Sequence, residues 1–222
     1  MAGTGSSMRP GGLPLTDRAM KLCKCAPGAR VADIGCGSCD TVTHLLNVYG
    51  IHAFGLDPSE IHITHGLREM PRLFVARGLA EALPFGGNSL DGLLCECALS
   101  LVPDIDTALS EFSRVLKPGG FLIIHDVFLA QPAYVTEPVP LRETYGLPGA
   151  CTREEMEQLL KGHRFSVEVW EDHTQALKEF AVQSILTHGS LDGFWSGACG
   201  DLRVKEAGRP GYYLLIARRP VS

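Results

Sequence analysis

Cys36 and Cys39 lie three residues apart in the run VADIGCGSCD (31–40), with Gly35 and Gly37 on either side of the first cysteine. Two chemistries suit that spacing. A C-x-x-C pair where a strand enters a helix is a thiol redox centre, because the unpaired amides there favour a thiolate. A glycine pair at the same place is a ligand turn, because glycine takes positive φ and admits close approach to the backbone. Asp57 bears on the choice. It ends the next apolar run 20 residues beyond Gly37, where a carboxylate accepts hydrogen bonds from both hydroxyls of a ribose. Redox catalysis leaves Asp57 and Gly35 without a role and stands as the remote alternative.

Asp40 narrows the nucleotide. It occupies the third glycine position of the G-x-G-x-x-G fingerprint, where its charge would compete with pyrophosphate for the helix amides. NAD and FAD therefore fit poorly. S-adenosyl-L-methionine carries adenosine without phosphate and ends in a zwitterion beside a sulfonium, so an acidic neighbour such as Asp33 helps it. Cys39 adds a local condition: a Cβ at that turn position requires negative φ.

The elements that must position these residues alternate between apolar β-branched runs and helical periods. Strands are expected at 29–35, 52–57, 72–78, 91–97 and 121–128, with helices at 40–49, 58–69 and 104–117 between them. That rhythm implies an α/β fold, a doubly wound parallel sheet with helices on both faces. The clearest stripe is Ile105, Ala108, Leu109, Phe112, Val115 and Leu116, stopped by Pro118-Gly119-Gly120. A preceding helix is expected over Thr16–Cys25, with Thr16 as its cap. Residues 129–150 hold four prolines and two tyrosines in a connection far beyond the usual length of about 4 to 6 residues, which suggests a lid. A helix (152–162), a strand (165–172), a second helix (174–188) and a last strand (211–219) complete the chain.

Four stretches, VADIGCGSC, FGLDPSE, GLAEALPFGGNSLDGLLCECALSLVPD and SEFSRVLKPGGFLIIHD, carry a family resemblance in their order. The chain resembles the class I S-adenosylmethionine-dependent methyltransferases, in the group similar to the ubiquinone and menaquinone biosynthesis enzymes. The resemblance covers about residues 29–128. It implies a Rossmann-like seven-stranded sheet with its last strand antiparallel. It also implies that Asp33, Gly35, Cys36 and Gly37 surround the methionine part of the cofactor and Asp57 and Pro58 its ribose and adenine. Ala80 and Glu81 would then flank the adenine, with Cys95 as the wall after the fourth strand. The product would be S-adenosyl-L-homocysteine. Where the family commonly reads Gly-Asp-Ala, this chain has Gly78-Leu79-Ala80, so Glu81 or a backbone carbonyl must serve the adenine amino group. The whole chain, 1–222, is expected to form one methyltransferase domain, with an N-terminal segment (1–28), a cofactor-binding core (29–128) and substrate-side elements (129–222).

Acceptor chemistry belongs at the carboxyl ends of the strands. Asp126 after the fifth strand and His173 after the sixth are the candidate bases. About 38 residues (174–211) separate the last two strands, where the family has a short hairpin; this C-terminal helical insertion carries His188, Trp195 and Cys199. With Tyr134, Tyr145 and Cys151 it could roof the pocket, or form a dimer contact. Arg9-Pro10-Gly11-Gly12 and Thr16 are expected to fold over the cofactor. In Cys95-Glu96-Cys97, one cysteine at most faces the site while Glu96 points elsewhere.

A formal charge of −5 gives no positive field for nucleic acid or an anionic membrane. The first residues have no basic and apolar leader, and the eight cysteines suit reduced thiols, so a cytoplasmic protein is expected. Cys23/Cys25 and Cys95/Cys97 have C-x-C rather than C-x-x-C spacing, so no metal site is expected. The expected activity is methyl transfer to a small-molecule acceptor. A thiol or metalloid acceptor is one alternative, suggested by the cysteines near the inferred site, and a non-catalytic cofactor-binding subunit is another.

Overall fold

The computed structural model describes residues 9–130, 151–188 and 210–221. Tyr134, Tyr145, Trp195 and Cys199, expected to roof a pocket, lie outside them. The elements run α1 (Gly12–Cys23), β1 (Arg30–Ile34), α2 (Asp40–Tyr49), β2 (His52–Asp57), α3 (Glu60–Glu69), β3 (Phe74–Arg77) and β4 (Leu90–Glu96). A 3-10 turn at Leu99–Leu101 leads to α4 (Ile105–Val115) and β5 (Leu116–Leu129). Then follow α5 (Arg153–Gly162), β6 (Ser166–Asp172), α6 (Thr174–His188) and β7 (Pro210–Arg218). No described helix is long and apolar enough to cross a membrane.

The seven strands form one sheet in the order β3-β2-β1-β4-β5-β7-β6. β1 to β5 pair in parallel, whereas β7 runs antiparallel to both β5 and β6. The expected doubly wound α/β fold, with its antiparallel last strand, is thus what the chain adopts. Its central strands are mostly apolar because helices cover both faces, with acids and a histidine only near the strand ends. On one face Val31, Leu94 and Ile123 pack with Leu15, Ala19 and Met20 of α1 and Val42 and Leu45 of α2. On the other, Ala32, Leu93 and Ile124 pack with Ala108, Leu109, Phe112 and Val115 of α4. Phe112 is fully buried, and such an aromatic contributes about 2 to 3 kcal/mol. The α4 stripe is the one expected, except that Leu116 already begins β5.

Two local expectations are corrected. α1 starts at Gly12, four residues before Thr16, and its N-cap is Gly11 in a left-handed conformation without a side-chain cap. Thr16 lies inside the helix on the buried stripe Leu15, Thr16, Ala19, Met20 and Cys23, where its hydroxyl serves a tertiary contact instead. Cys39 does not keep negative φ. It is the N-cap of α2 at φ 67, a conformation costing a non-glycine residue roughly 1 to 2 kcal/mol. Ordinary turn hydrogen bonds hold it there: Cys39 N donates to Cys36 O at 2.8 Å, and Thr43 N donates to Cys39 O at 2.9 Å.

α3 crosses this turn at very short range. A Cβ on Gly66 would meet Ser38 O at 2.7 Å and Cys39 Sγ at 2.9 Å, and the carbonyl is backbone that cannot swing aside. Gly66→Ala should cost about 1 to 3 kcal/mol, the penalty of overpacking, read as a lower urea midpoint with an unchanged m-value.

Candidate functional site

Because β1, β2, β4 and β5 are parallel, their carboxyl ends meet at one edge of the sheet. The loop from β1 to α2 lies across that edge. Gly35 N and Cys36 N both donate to Leu56 O, at 2.7 and 3.0 Å. Gly37 N donates to Asp57 Oδ2 and Ser59 N to Asp57 Oδ1, each at 2.8 Å. Asp57 is 6% exposed, so its carboxylate is fixed at the tip of β2. An ionised carboxylate has about four acceptor positions, which leaves two of them for a ligand. Gly35 sits at φ +78 with its Cα against the Ala98 side chain, which an added Cβ would strike at 2.3 Å. Gly37, at φ +51, has nothing within 4 Å of where a Cβ would stand, so space opens directly over the backbone there.

Beneath the turn is a group of polar side chains on the α1–α2 face. Glu96, at the end of β4 and 6% exposed, is its centre. Thr16 of α1 donates to Oε1 and Thr41 of α2 to Oε2, both at 2.8 Å. The Arg9 guanidinium lies 2.9 Å from Oε2 and also donates to Thr16 Oγ1 at 2.8 Å. His125 of β5, fully buried, brings Nδ1 to 2.9 Å from Oε1, an ion-pair distance outside hydrogen-bond angles. The expectation that Glu96 points elsewhere is therefore reversed. Strand alternation turns Cys95 into the apolar opposite face and Glu96 toward Asp33 and the turn. Sequence reasoning does not join Glu96, Arg9 and His125 as one cluster; the available signal is the carboxylate that closes the apolar run GLLC (92–95).

Four buried polar atoms in this group have no hydrogen-bond partner among the described residues: Asp33 Oδ1, Arg9 Nε and both ring nitrogens of His125. Such atoms are rare, since leaving one unpaired costs about 1 to 3 kcal/mol. Burial, reinforced by the Glu96 carboxylate and opposed by the Arg9 cation, holds the Asp33 carboxyl well above its usual range. Burial acts in the same direction on Glu96. There the Arg9 cation, His125 and the Thr16 hydroxyl outweigh it and bring the carboxyl down to about 2.

The remaining expected residues spread around the edge. Pro58 is exposed after β2, and its carbonyl accepts from Arg77 Nε at 3.1 Å. Ala80 is buried against the α4-side core, while Glu81 beside it is half-buried. Cys95 is fully buried and packs in that same core. Asp126 is buried on the α4 face, where it accepts from Ser100 N at 2.8 Å, Ser100 Oγ at 2.7 Å and Val127 N at 2.7 Å. His173 follows β6, separated from Asp126 by β7, and its Nε2 lies 3.0 Å from Glu171 Oε2. The structure does not bring the two candidate bases together. Cys23, Cys25, Cys36, Cys39, Cys95 and Cys97 are free thiols, and no three metal-ligating side chains converge among the described residues. Cys97 Sγ lies 3.0 Å from the Tyr212 hydroxyl.

Because the Glu96 carboxyl falls to about 2 from an ordinary 4.5, it stabilises the fold above the unfolded value and loses that contribution as pH falls from about 4.5 toward 2. At neutral pH the contribution is on the order of 3 kcal/mol. Glu96→Gln should be destabilised by that order at pH 7, and the gap to wild type should shrink across the acid window, as read by urea unfolding at a series of pH values.

A family model described as a methyltransferase domain matches residues 32–124. YodH of Bacillus subtilis, an uncharacterised methyltransferase, is 30% identical over 167 residues, 70% of this chain and 68% of that protein. Demethylmenaquinone methyltransferase of Staphylococcus haemolyticus is 37% identical over 101 residues, so the match spans 43% of this chain and 42% of that relative. Among solved structures, the [4+2]-cyclase SpnF is similar with a TM-score of 0.77 at 24% identity, covering 94% of this chain and 82% of that one. Phosphoethanolamine N-methyltransferase 2 of Haemonchus contortus, in complex with S-adenosyl-L-methionine, gives 0.78 at 21% identity, covering 97% and 54%. These two likenesses are of fold. Together with the sheet order and the glycine turn pinned by Asp57, the match to YodH places the chain in the class I methyltransferase family.

Proposed function

We propose that this chain is a methyltransferase that uses S-adenosyl-L-methionine and passes its methyl group to a small-molecule acceptor. The observation that carries the reading is Asp33 Oδ1, a buried carboxylate oxygen without a partner, beside a glycine turn that is open above Gly37. A ligand with an ammonium end and no phosphate suits it. Asp33 would take the ammonium, Gly35, Cys36 and Gly37 would line the methionine part, and the free acceptor positions of Asp57 would take the ribose hydroxyls. Pro58, Ala80 and Glu81 border the place left for adenine, and Cys95 supports that wall from the core. Arg9 Nε, a buried donor without a partner among the described residues, suits the carboxylate end.

The cofactor, when bound, supplies a methyl group on a sulfonium. The protein's part is to hold the acceptor in line with it and exclude water, since positioning alone supplies much of the rate of such a displacement. Of the two candidate bases, Asp126 spends its oxygens on Ser100 and Val127 and shapes the turn after β4. His173 is the better candidate for accepting a proton, because Glu171 orients its ring through Nε2 while Nδ1 has no hydrogen bond among the described residues. The abundance of free thiols suits a reducing compartment such as the cytoplasm.

Titration with S-adenosyl-L-homocysteine and turnover against a panel of small acceptors test the proposal. Binding without any turnover would favour the non-catalytic cofactor-binding alternative, and absence of binding would remove the reading. Asp57→Asn should weaken binding by about tenfold or more, as expected for hydrogen bonds to a charged group worth about 1.5 to 3 kcal/mol. Because the Asp33 carboxyl is raised, it takes up a proton in the ligand-free protein more readily than an ordinary aspartate and must give it up to receive an ammonium. Binding should therefore release protons, seen as a dependence of the calorimetric heat on buffer ionisation enthalpy, and Asp33→Asn should abolish that dependence.

A further inference from the structure

Beyond the place given to Cys36 along the methionine part, the two thiols of the C-x-x-C pair have no task in cofactor binding, yet their geometry is specific. Cys36 Sγ and Cys39 Sγ lie 3.6 Å apart as a hydrogen-bonded pair of free thiols. Both sulfurs are housed by missing side chains: a Cβ on Gly55 would come within 2.8 Å of Cys36 Sγ, and one on Gly66 within 2.9 Å of Cys39 Sγ. The backbone between them closes a turn, and the amide of Gly37 inside it is the one that Asp57 holds. Cys36 is 8% exposed and Cys39 is fully buried, so the reagent that reaches the pair has to be a small one.

We propose that Cys36 and Cys39 are a site of reversible oxidation, a disulfide formed by a hydroperoxide that lowers affinity for the adenosyl ligand. The chemistry balances in two steps. The sulfur of Cys39, as the thiolate that the Cys36 thiol stabilises by its hydrogen bond, attacks one peroxide oxygen; the S–O bond forms, the O–O bond breaks, and water or an alcohol leaves with a proton. The sulfur of Cys36 then attacks Cys39; the S–S bond forms, the S–O bond breaks, and hydroxide leaves as water with the Cys36 proton. The two sulfurs lose two electrons in total and the peroxide gains them. A dithiol reverses the change. The hydrogen bond within the pair favours ionisation of Cys39, holding its thiol below the ordinary range, and together with burial holds the Cys36 thiol above it.

Disulfide closure brings the sulfurs to about 2.05 Å, some 1.5 Å nearer than now. The ends of the turn cannot absorb that movement freely. Gly35 N and Cys36 N are tied to Leu56 O, Gly37 N is tied to Asp57, and Ser38 O lies against Gly66. The shift falls on Gly37 and Asp57, the positions assigned above to the ligand.

The affinity part rests on the proposed cofactor; the disulfide part does not. The full chain is treated with limiting hydrogen peroxide and digested with trypsin. The peptide 31–68 contains these two cysteines and no others, so a loss of two hydrogen masses there, restored by dithiothreitol, reports the bond. In parallel, S-adenosyl-L-homocysteine is titrated into reduced and oxidised protein. Expected is that loss of mass together with an affinity lower by about tenfold, equivalent to about 1.4 kcal/mol. Cys39→Gly suits the left-handed position and keeps the turn; its affinity should be the same before and after peroxide, and Cys39→Ser should behave likewise. A peptide without the bond, an oxidised protein with unchanged affinity, or a Cys39→Gly variant that responds like wild type would each overturn the proposal. A reduced protein that fails to bind the nucleoside, with the bond still forming, would strike the proposed function and the affinity part while sparing the oxidation site.

Discussion

The loop between β1 and α2 has no ladder of its own, so its amides depend on the tip of β2. Leu56 O takes the amides of Gly35 and Cys36, and Asp57 takes those of Gly37 and Ser59. Everything at the carboxyl edge follows from this tie. β2 must pair with β1 in the register that sets Asp33 beside Gly55 and Ile34 beside Leu56, because a shift of one residue would turn Asp57 to the opposite face. α3 must cross close enough to cover the turn, which Gly66 permits, and Ser59 must cap α3 by accepting from His62 N. A buried carboxylate holding two amides at neighbouring loops thus sets the local geometry of two helix starts at once.

The two faces of the sheet divide the work. On the α4 side the layer is nearly all apolar, with Asp126 as a buried exception satisfied by Ser100 and Val127. On the α1–α2 side the apolar layer gives way at the carboxyl edge to Asp33, Glu96, His125, Arg9, Thr16 and Thr41. Buried ions of this kind add little over apolar residues of the same shape, because desolvation takes back most of their attraction. They do fix geometry. Thr16 and Thr41 bind the two oxygens of one carboxylate, so α1 and α2 are brought together over the end of β4. His44 and Tyr49 on α2 meet Asp17 of α1 at 2.7 Å on the outer side, and both ties act on the same pair of helices.

The alternation of strands and helices was legible because each element's own residues decide it: the α4 stripe, the β-branched runs and the proline and glycine stops act over a few residues. Asp57 was legible for the same reason, being an acid at the end of an apolar run. Glu96 was not, since the alternation argument fixed on its cysteine neighbours and could not say which face the turn would occupy. Thr16 was read as a cap because Ser and Thr at a helix start commonly are one; the helix instead began at Gly12, and a partner 80 residues away claimed the hydroxyl. Cys39 at positive φ shows a further limit. Local preference disfavours it, and the turn bonds from Cys39 N and Thr43 N outweigh that preference.

The group under the turn is also incomplete as it stands. Among the described residues its acids, Asp33 and Glu96, face one fixed cation, Arg9, which sits against Glu96 and leaves Asp33 Oδ1 without a donor. Burial and the Glu96 charge hold the Asp33 carboxyl well above its usual range, because an unmatched charge is costly there. A cationic ligand end arriving beside it would change that balance, and the same contact that binds the ligand would complete the fold's own electrostatics. Ligand affinity and fold stability are then two readings of one interaction, because any ligand that binds only the native state stabilises it by mass action. A buried acid with an unpaired oxygen is costly without a ligand, and that cost favours the bound state.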